Sequence, residues 1–250
     1  MKKVFFYATI IVAASALPFT SFGQDDKHKE EKEWKSKKTI EGSGNIITKD
    51  VAVQSFSELK ASGVFSVYLE QGNTESVKIE ADDNFQPLFE VKNEGSKLVI
   101  KMEDDVNFKT KKGSKGMKVY ITFKSLKSME LGTVGNVSAE KKLSFGDIDI
   151  KNSSVGSISL NFSAKRITLK NESVGTVMLS GSADEARIAN NGVGSLKAYD
   201  FVVQKMDITN EGIGGAEVNA EKELKVKDSF LGKVTNKGNA PVKKSNKVVI

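Results

Sequence analysis

No cysteine occurs anywhere in this chain of 250 residues. That excludes disulfides, thiol nucleophiles, cysteine-ligated metals and a lipidated amino-terminal cysteine. Histidine and tryptophan occur once each, as His28 and Trp34, both in a charged stretch near the amino terminus. A Ser-His-Asp triad or a histidine-built metal centre therefore has no material to draw on, and no cofactor or metal motif is present. Charge of one sign is also scarce in blocks. The net charge of +6 falls to +4 without Lys2 and Lys3, and acids and bases are interspersed. There is no basic stripe of the kind that tracks a nucleic acid.

Long apolar runs are missing too, apart from Val4 to Leu17. That run follows Lys2-Lys3 and precedes Pro18-Phe-Thr-Ser-Phe-Gly23, which is the pattern of a secretory signal peptide over residues 1–23. It is short for a span of about 30 Å of hydrocarbon, and no other segment could cross as a helix. The reading is an exported protein, periplasmic or secreted to the cell surface, with no transmembrane segment in the mature chain. Residues 24–41 are almost wholly polar and charged and read as a flexible linker. An exported chain without disulfides needs another source of stability, and a long apolar core can supply it.

What the chain does have is a repeat. The signature reads Asn152-Ser-Ser-Val-Gly156, Asn171-Glu-Ser-Val-Gly175, Asn190-Asn-Gly-Val-Gly194, Asn210-Glu-Gly-Ile-Gly214 and Asp228-Ser-Phe-Leu-Gly232. With Gly135 included, the glycines are spaced by 21, 19, 19, 20 and 18 residues. A period near twenty marks a solenoid, in which each unit buries its apolar face only against its neighbours. Before each glycine stand Val134, Val155, Val174, Val193, Ile213 and Leu231. Two after it come Val137, Ile158, Val177, Leu196, Ala216 and Val234, and further apolar residues follow two positions later. We read these columns together as the buried face of one short strand. Two residues before each Asn or Asp lie Ile150, Leu169, Ile188, Ile208 and Val226, and four before lie Ile148, Ile167, Ala186, Met206 and Leu224, a second strand with the same alternation. No 3.6-residue stripe competes with it, and the regular leucines of a leucine-rich repeat are absent. The fold class is therefore all-β: a single-stranded parallel β-helix (β-solenoid) of about 20 residues per coil, with regular repeats over 132–250.

The columns Asn152, Asn171, Asn190, Asn210 and Asp228, and Gly135, Gly156, Gly175, Gly194, Gly214 and Gly232, are read as structural turns. Asparagine suits tight turns and can stack as a side-chain ladder, and glycine supplies positive φ or close approach. The signature is not a phosphate loop, because it lacks the glycine spacing, the trailing Gly-Lys-Ser/Thr and a following helix. Five residues before each turn stand Asp147, Arg166, Glu185, Lys205 and Glu223, whose signs alternate. Stacked in register, each charge would lie beside its opposite, and a slip of one coil would bring like charges together.

From 42 to 131 the chain is still strand-rich but irregular, and we expect it to cap the solenoid's end. Asp82-Asp83-Asn84-Phe85 leading to Leu88 and Phe89 reads as a short helical turn with an Asx cap, and Asp104 to Lys115 as an exposed loop. Phe56, Phe65, Tyr68, Phe85, Phe89, Phe108, Tyr120 and Phe123 gather here. Alternation points most of these rings inward, against an aromatic sugar-binding surface.

The residues Gly42-Ser-Gly-Asn-Ile-Ile-Thr48, Phe56-Ser-Glu-Leu-Lys-Ala-Ser-Gly-Val-Phe-Ser-Val-Tyr-Leu69, Val119-Tyr-Ile-Thr-Phe-Lys-Ser-Leu126 and Lys237-Gly-Asn-Ala-Pro241 carry a resemblance. With the glycine units between them, they make residues 42–250 similar to the putative auto-transporter adhesin, head GIN domain family of exported bacterial proteins, common in Bacteroidetes. The resemblance implies a right-handed β-helix and brings no catalytic motif. The chain departs from the family in having Asn-x-Ser-Val-Gly where Ser-Gly-Ala-Gly-type turns are usual.

The functional expectation is an adhesin-like binding module that presents a flat solenoid face to an envelope or host polysaccharide or protein. The candidate face is the polar one beside the glycines: Asn136, Ser138, Ser157, Ser159, Thr176, Ser195 and Lys197. One alternative is a structural or assembly protein of the cell envelope. Another is a polysaccharide lyase or hydrolase, for which Asp147 and Asp149 with Arg166 and Arg187 are the nearest approach to an acid–base group.

Overall fold

A computed structural model describes residues 38–111, 116–229 and 231–244 of the chain. The expected signal peptide, most of the expected linker, His28 and Trp34 lie outside the described residues. Among the described residues there is no α-helix, and the strands are β1 (Lys38–Glu41), β2 (Ile46–Val51), β3 (Glu58–Gly63), β4 (Ser66–Gln71), β5 (Ser76–Asp82), β6 (Phe89–Glu94), β7 (Lys97–Met102), β8 (Val106–Lys109) and β9 (Lys118–Phe123). They continue as β10 (Ser128–Thr133), β11 (Val137–Ser138), β12 (Leu143–Asn152), β13 (Ile158–Asn171), β14 (Val177–Asn190), β15 (Leu196–Asn210), β16 (Ala216–Asp228), β17 (Val234–Asn236) and β18 (Val242–Lys244).

Two parallel ladders run along the molecule. One joins β7, β3, β10, β12, β13, β14, β15, β16 and β18 in that order, and the other joins β9, β4, β11, β13, β14, β15, β16 and β17. This is a β-solenoid of about 6 turns with ~20 residues per coil. The register repeats the sequence period: Asn152 lies beside Asn171, Asn171 beside Asn190, Asn190 beside Asn210 and Asn210 beside Asp228.

The stack does not follow chain order at its beginning. The rung β3–β4 is sandwiched between the later rungs β7–β9 and β10–β11. Beyond β9 the pairing turns antiparallel, with β5 on β9 and β2 outermost, and β6 lies antiparallel on β7. The hairpin turn at Gly95, φ 61°, lets β6 fold back on β7. These hairpins cover strand edges that a bare solenoid would leave open. A separate pair, β1 with β8, runs parallel beside them.

The core fills the space between the ladders. Alternation buries Ile148, Ile150, Ile158 and Leu160 in one coil and their equivalents Ile167, Leu169, Val177 and Leu179 in the next. Phenylalanines run through the middle: Phe123–Phe145, Phe145–Phe162 and Phe162–Phe201 have centroids 6.1, 5.6 and 4.7 Å apart. Phe162 and Phe201 are fully buried. At about 25 cal/mol per Å² of apolar area, such a core stands in for the missing disulfides.

Three expectations need correction. The residues before the glycines do not join the buried face: Val134, Val155, Val174, Val193, Ile213 and Leu231 are 47–61 % exposed. They sit an odd number of positions from the buried residues two after the glycine, so a strand that buries one set exposes the other. Most of the rings of 42–131 do point into the core, and Tyr68 and Tyr120 are the two that face outward, because their neighbours Val67, Leu69, Val119 and Ile121 take the inward positions. The short helical turn forms within the expected stretch, at Gln86–Leu88 as a 3-10 turn, but it has no side-chain cap. Asp82, Asp83 and Asn84 instead bind the loop 43–45, through Gly44 N–H to Asp82 Oδ1 at 2.6 Å and Asn45 Nδ2 to Asp83 Oδ2 at 2.9 Å. Within Asp104 to Lys115, Val106–Lys109 forms strand β8.

Candidate binding face

Each coil turns a corner between its two strands, and the corner is held from inside. Asn152 Nδ2 donates to Asn171 Oδ1 at 2.7 Å, Asn171 Nδ2 to Asn190 Oδ1 at 2.7 Å, and Asn190 Nδ2 to Asn210 Oδ1 at 2.5 Å. Asn210 closes the run by donating to the Gly232 carbonyl at 2.6 Å. All four asparagines are buried. A buried amide must satisfy its donors and its acceptor, and stacking at the rung spacing does this with identical residues. Asp228 leaves the ladder: its carboxylate pairs with Lys244 at 3.3 Å. Gly175 shows why the next column is glycine. Its φ is 142°, and a Cβ there would stand 2.1 Å from the Gly156 carbonyl oxygen.

The corner therefore acts as a rigid frame, and the candidate residues ride on its outer surface. They form two columns. Asn136, Ser157, Thr176 and Ser195 follow the glycines, and all but Asn136 are half-buried. Asn136 is committed to the backbone, since its Oδ1 accepts from the Ser157 N–H at 3.0 Å. Two residues further on, Ser138, Ser159, Met178 and Lys197 lie side by side on successive rungs. Toward the cap this second column continues into Tyr68 and then Tyr120. The two rings stack, with centroids 4.9 Å apart and planes 21° from parallel. A small hollow of about 170 Å³ lies there, lined by Tyr68, Tyr120, Thr122, Glu70, Glu140 and Lys141. Lys141 pairs with Glu70 at 2.6 Å, and Tyr120 Oη donates to Glu80 at 3.3 Å. Burial, with the Glu80 charge beside it, raises the Tyr120 pKa, so this ring stays a neutral phenol. The tyrosine pair is the part of this face that sequence reasoning missed. The signal was available, because Val67-Tyr68-Leu69 and Val119-Tyr120-Ile121 place both rings between inward aliphatics.

Along the corner itself runs an aliphatic row. Val134, Val155, Val174, Val193 and Ile213 are bridged rung to rung. Leu231 extends the row, and Val64, 39 % exposed, begins it on the rung of β3 and β4.

On the other ladder Asp147, Arg166, Glu185, Lys205 and Glu223 stand in register with alternating sign. Arg166 hydrogen-bonds Asp147, and that bond together with the carboxylate's charge raises the guanidinium's pKa. Asp149, Thr168 and Arg187 form the adjacent column across a shallow 340 Å³ depression. Both members of the Asp147–Arg166 pair are more than half exposed. The arrangement is a column of alternating charge on an open surface, with Asp147–Arg166 as its ion pair. Among the described residues no group of acids and histidines could hold a metal ion.

The family model described as "Putative auto-transporter adhesin, head GIN domain" matches residues 55–240. The chain belongs to this family. Three solved structures share its fold. One described as a putative adhesin from Bacteroides fragilis is 24 % identical, covers 82 % of this chain and all of its own, and superposes with a TM-score of 0.67. A second, described as a putative lipid binding protein from Parabacteroides distasonis, is 18 % identical over 83 % of this chain and 96 % of its own, with a TM-score of 0.62. A third, described as a putative adhesin from the same species, is 20 % identical over 83 % of this chain and 100 % of its own, with a TM-score of 0.54. At these identities they establish the fold. No curated protein matches the chain. Among the described residues no helix is long and apolar enough to cross a membrane.

Proposed function

We propose that this member of the head GIN family is an exported, adhesin-like binding module, acting in the periplasm or at the cell surface, whose ligand is an envelope or host polysaccharide. The observation that carries the reading is the outward column Tyr120, Tyr68, Ser138, Ser159, Met178 and Lys197, one side chain per rung, polar at every rung but that of Met178. Hydroxyls at a fixed rise of about 4.8 Å offer repeated hydrogen bonds to a polymer with repeated hydroxyls. The tyrosines at one end add an amphipathic aromatic anchor of the kind that dominates binding energy. The family's adhesin description supports binding over catalysis.

The test is a glycan and envelope-polymer array probed with the protein secreted by an expression host. Binding is expected to fall at least tenfold in Tyr68→Ala and in Ser159→Asp. A hit that both variants retain would remove this face. Timed incubation with the bound polymer would detect cleavage, which the reading does not expect. If no polymer binds, the polysaccharide reading fails.

A further inference from the structure

We propose that the aliphatic row at the corner is a self-association surface, on which two copies of this chain pair side by side with their solenoid axes parallel. The inference does not rest on the polysaccharide reading, since the column from Tyr68 to Lys197 lies outside the footprint derived below.

The row is unusual for its place. A residue exposed at mid-turn can be Asn, Asp, Ser or Lys at no cost to the fold, and these are the residues that turns favour. Here every rung from Val64 to Leu231 carries an aliphatic side chain that remains 39–61 % exposed after stacking on its neighbours. Contact between rungs accounts for the buried half of each side chain and leaves the outer half facing water. A continuous exposed apolar strip on a polar surface marks a contact site.

Three properties select a second copy as the occupant. The first is period. The row rises one rung at a time, and another copy has the same rise by construction, so apolar groups meet at every rung with no accumulated mismatch. The second is charge. On one flank of the row stand Ser153, Glu172, Asn191 and Glu211; on the other stand Ser157, Thr176, Ser195 and Gly215. A twofold axis parallel to the row sets the Glu172 column against the partner's Thr176 column and brings no like charges together. An axis across the row would instead set Glu172 against its own copy when centred on Val174, which is disfavoured. The third is area. At about 4.8 Å per rung the row is about 29 Å long, and one flanking column on each side makes the strip about 20 Å wide. That is about 600 Å² per copy and about 1,200 Å² in total, at the lower end for a specific interface, so the dimer is weak and concentration-dependent. The column from Tyr68 to Lys197 is four residues, about 13 Å, from the row and stays open beside the contact.

Sedimentation velocity on the secreted protein, from about 1 µM to about 500 µM, should show a reversible monomer–dimer equilibrium. Val155→Asp/Val193→Asp, two rungs apart so that the new carboxylates do not abut, should weaken it at least a hundredfold, with the β-sheet circular dichroism retained. Should that variant fold poorly, Val174→Ser reads the same loss more gently. The chain's lack of cysteine gives a second readout. Val155→Cys, Val174→Cys and Val193→Cys, each alone, should form disulfide-linked dimers on mild oxidation, whereas Thr168→Cys on the other ladder should not. A monomer throughout the concentration range, or a dimer that the aspartates leave intact, would overturn the proposal. Cross-linking at Val174 alone would overturn the parallel pairing. A monomer whose aspartate variant loses polymer binding would instead assign the row to that ligand.

Discussion

Replacing Asn171 with alanine removes the middle of the buried amide ladder without touching any apolar contact of the core. Three buried partners then lose a bond. Asn152 Nδ2 has no acceptor, Asn190 Oδ1 has no donor, and Ser173 Oγ, which donates to Asn171 Oδ1 at 2.8 Å, is stranded. Leaving a buried polar group unsatisfied costs about 1–3 kcal/mol, so three of them should cost about 3–9 kcal/mol, the lower figure if water enters the space. That is a large part of the 5–15 kcal/mol that holds a typical domain folded. The end of the ladder supplies an internal comparison. Asn152→Ala strands only the Ser154 amide, which donates to Asn152 Oδ1 at 3.1 Å, since Asn171 Oδ1 keeps its bond from Ser173. It should cost about 1–2 kcal/mol. Equilibrium unfolding in guanidinium chloride, followed by circular dichroism, measures both. The m-value should be compared with that of the wild type, because a broken solenoid can unfold in two blocks. A loss below about 1 kcal/mol for Asn171→Ala, or equal losses at the middle and the end, would refute the view that the ladder's strength lies in mutual satisfaction. The double variant Asn171→Ala/Asn190→Ala should be less damaging than the sum of its parts, since the first change has already stranded Asn190.

Gly175→Ala should destabilise by at least about 3 kcal/mol, because the new methyl meets the Gly156 carbonyl and φ is 142°. Gly146→Ala, where a Cβ meets no atom within 4 Å, should be neutral or slightly stabilising in the same unfolding assay. Asp147→Ala removes an ion pair whose members are both more than half exposed, and should leave the unfolding midpoint essentially unchanged, at low salt and at high. The pH profile of thermal melting follows from three depressed carboxyls: Glu75, held by the Ser55 hydroxyl and Lys124; Asp83, held by Ser43 and Asn45; and Glu90, held by Lys101 and Lys92. A folded pKa below the unfolded one adds stability that is present above the unfolded value and lost as pH falls through the folded value. The melting temperature should therefore not change through these groups between about pH 5 and 8, and should decline below about pH 4. A steady fall starting near neutrality would contradict the assignment.

The repeat was legible because a solenoid writes its geometry directly into its spacing. A twenty-residue period brings Asn152, Asn171, Asn190 and Asn210 onto one line, and their side chains bond along that line. The alternating column from Asp147 to Glu223 is in register for the same reason. The cap was legible only as strands. Its hairpins pair residues far apart in sequence, such as Ile46 with Asp82 and Ser76 with Thr122, and no period announces such contacts. Nor does any local signal say that the rung β3–β4 is sandwiched between two later rungs, because every strand of that region presents the same alternation to either neighbour.

The candidate faces show where pattern reading fails and why. Aliphatic character at a repeated position is normally evidence of burial, and on that ground the residues before the glycines were grouped with the core columns two and four after them. Parity decides otherwise. In a strand, side chains an odd number of residues apart point to opposite faces, so a position one before the glycine cannot share a face with a position two after it unless the backbone turns between them. The glycine's positive φ does bend the chain there, but the bend turns the corner outward and leaves Val174 half in water while Val177 is buried. The same parity sets Tyr68 and Tyr120 outside Val67, Leu69, Val119 and Ile121. Apolar residues at positions that parity assigns to the surface are thus the informative ones in this fold. They contribute little that the core does not already supply, and what they can supply is a surface for something else to bury.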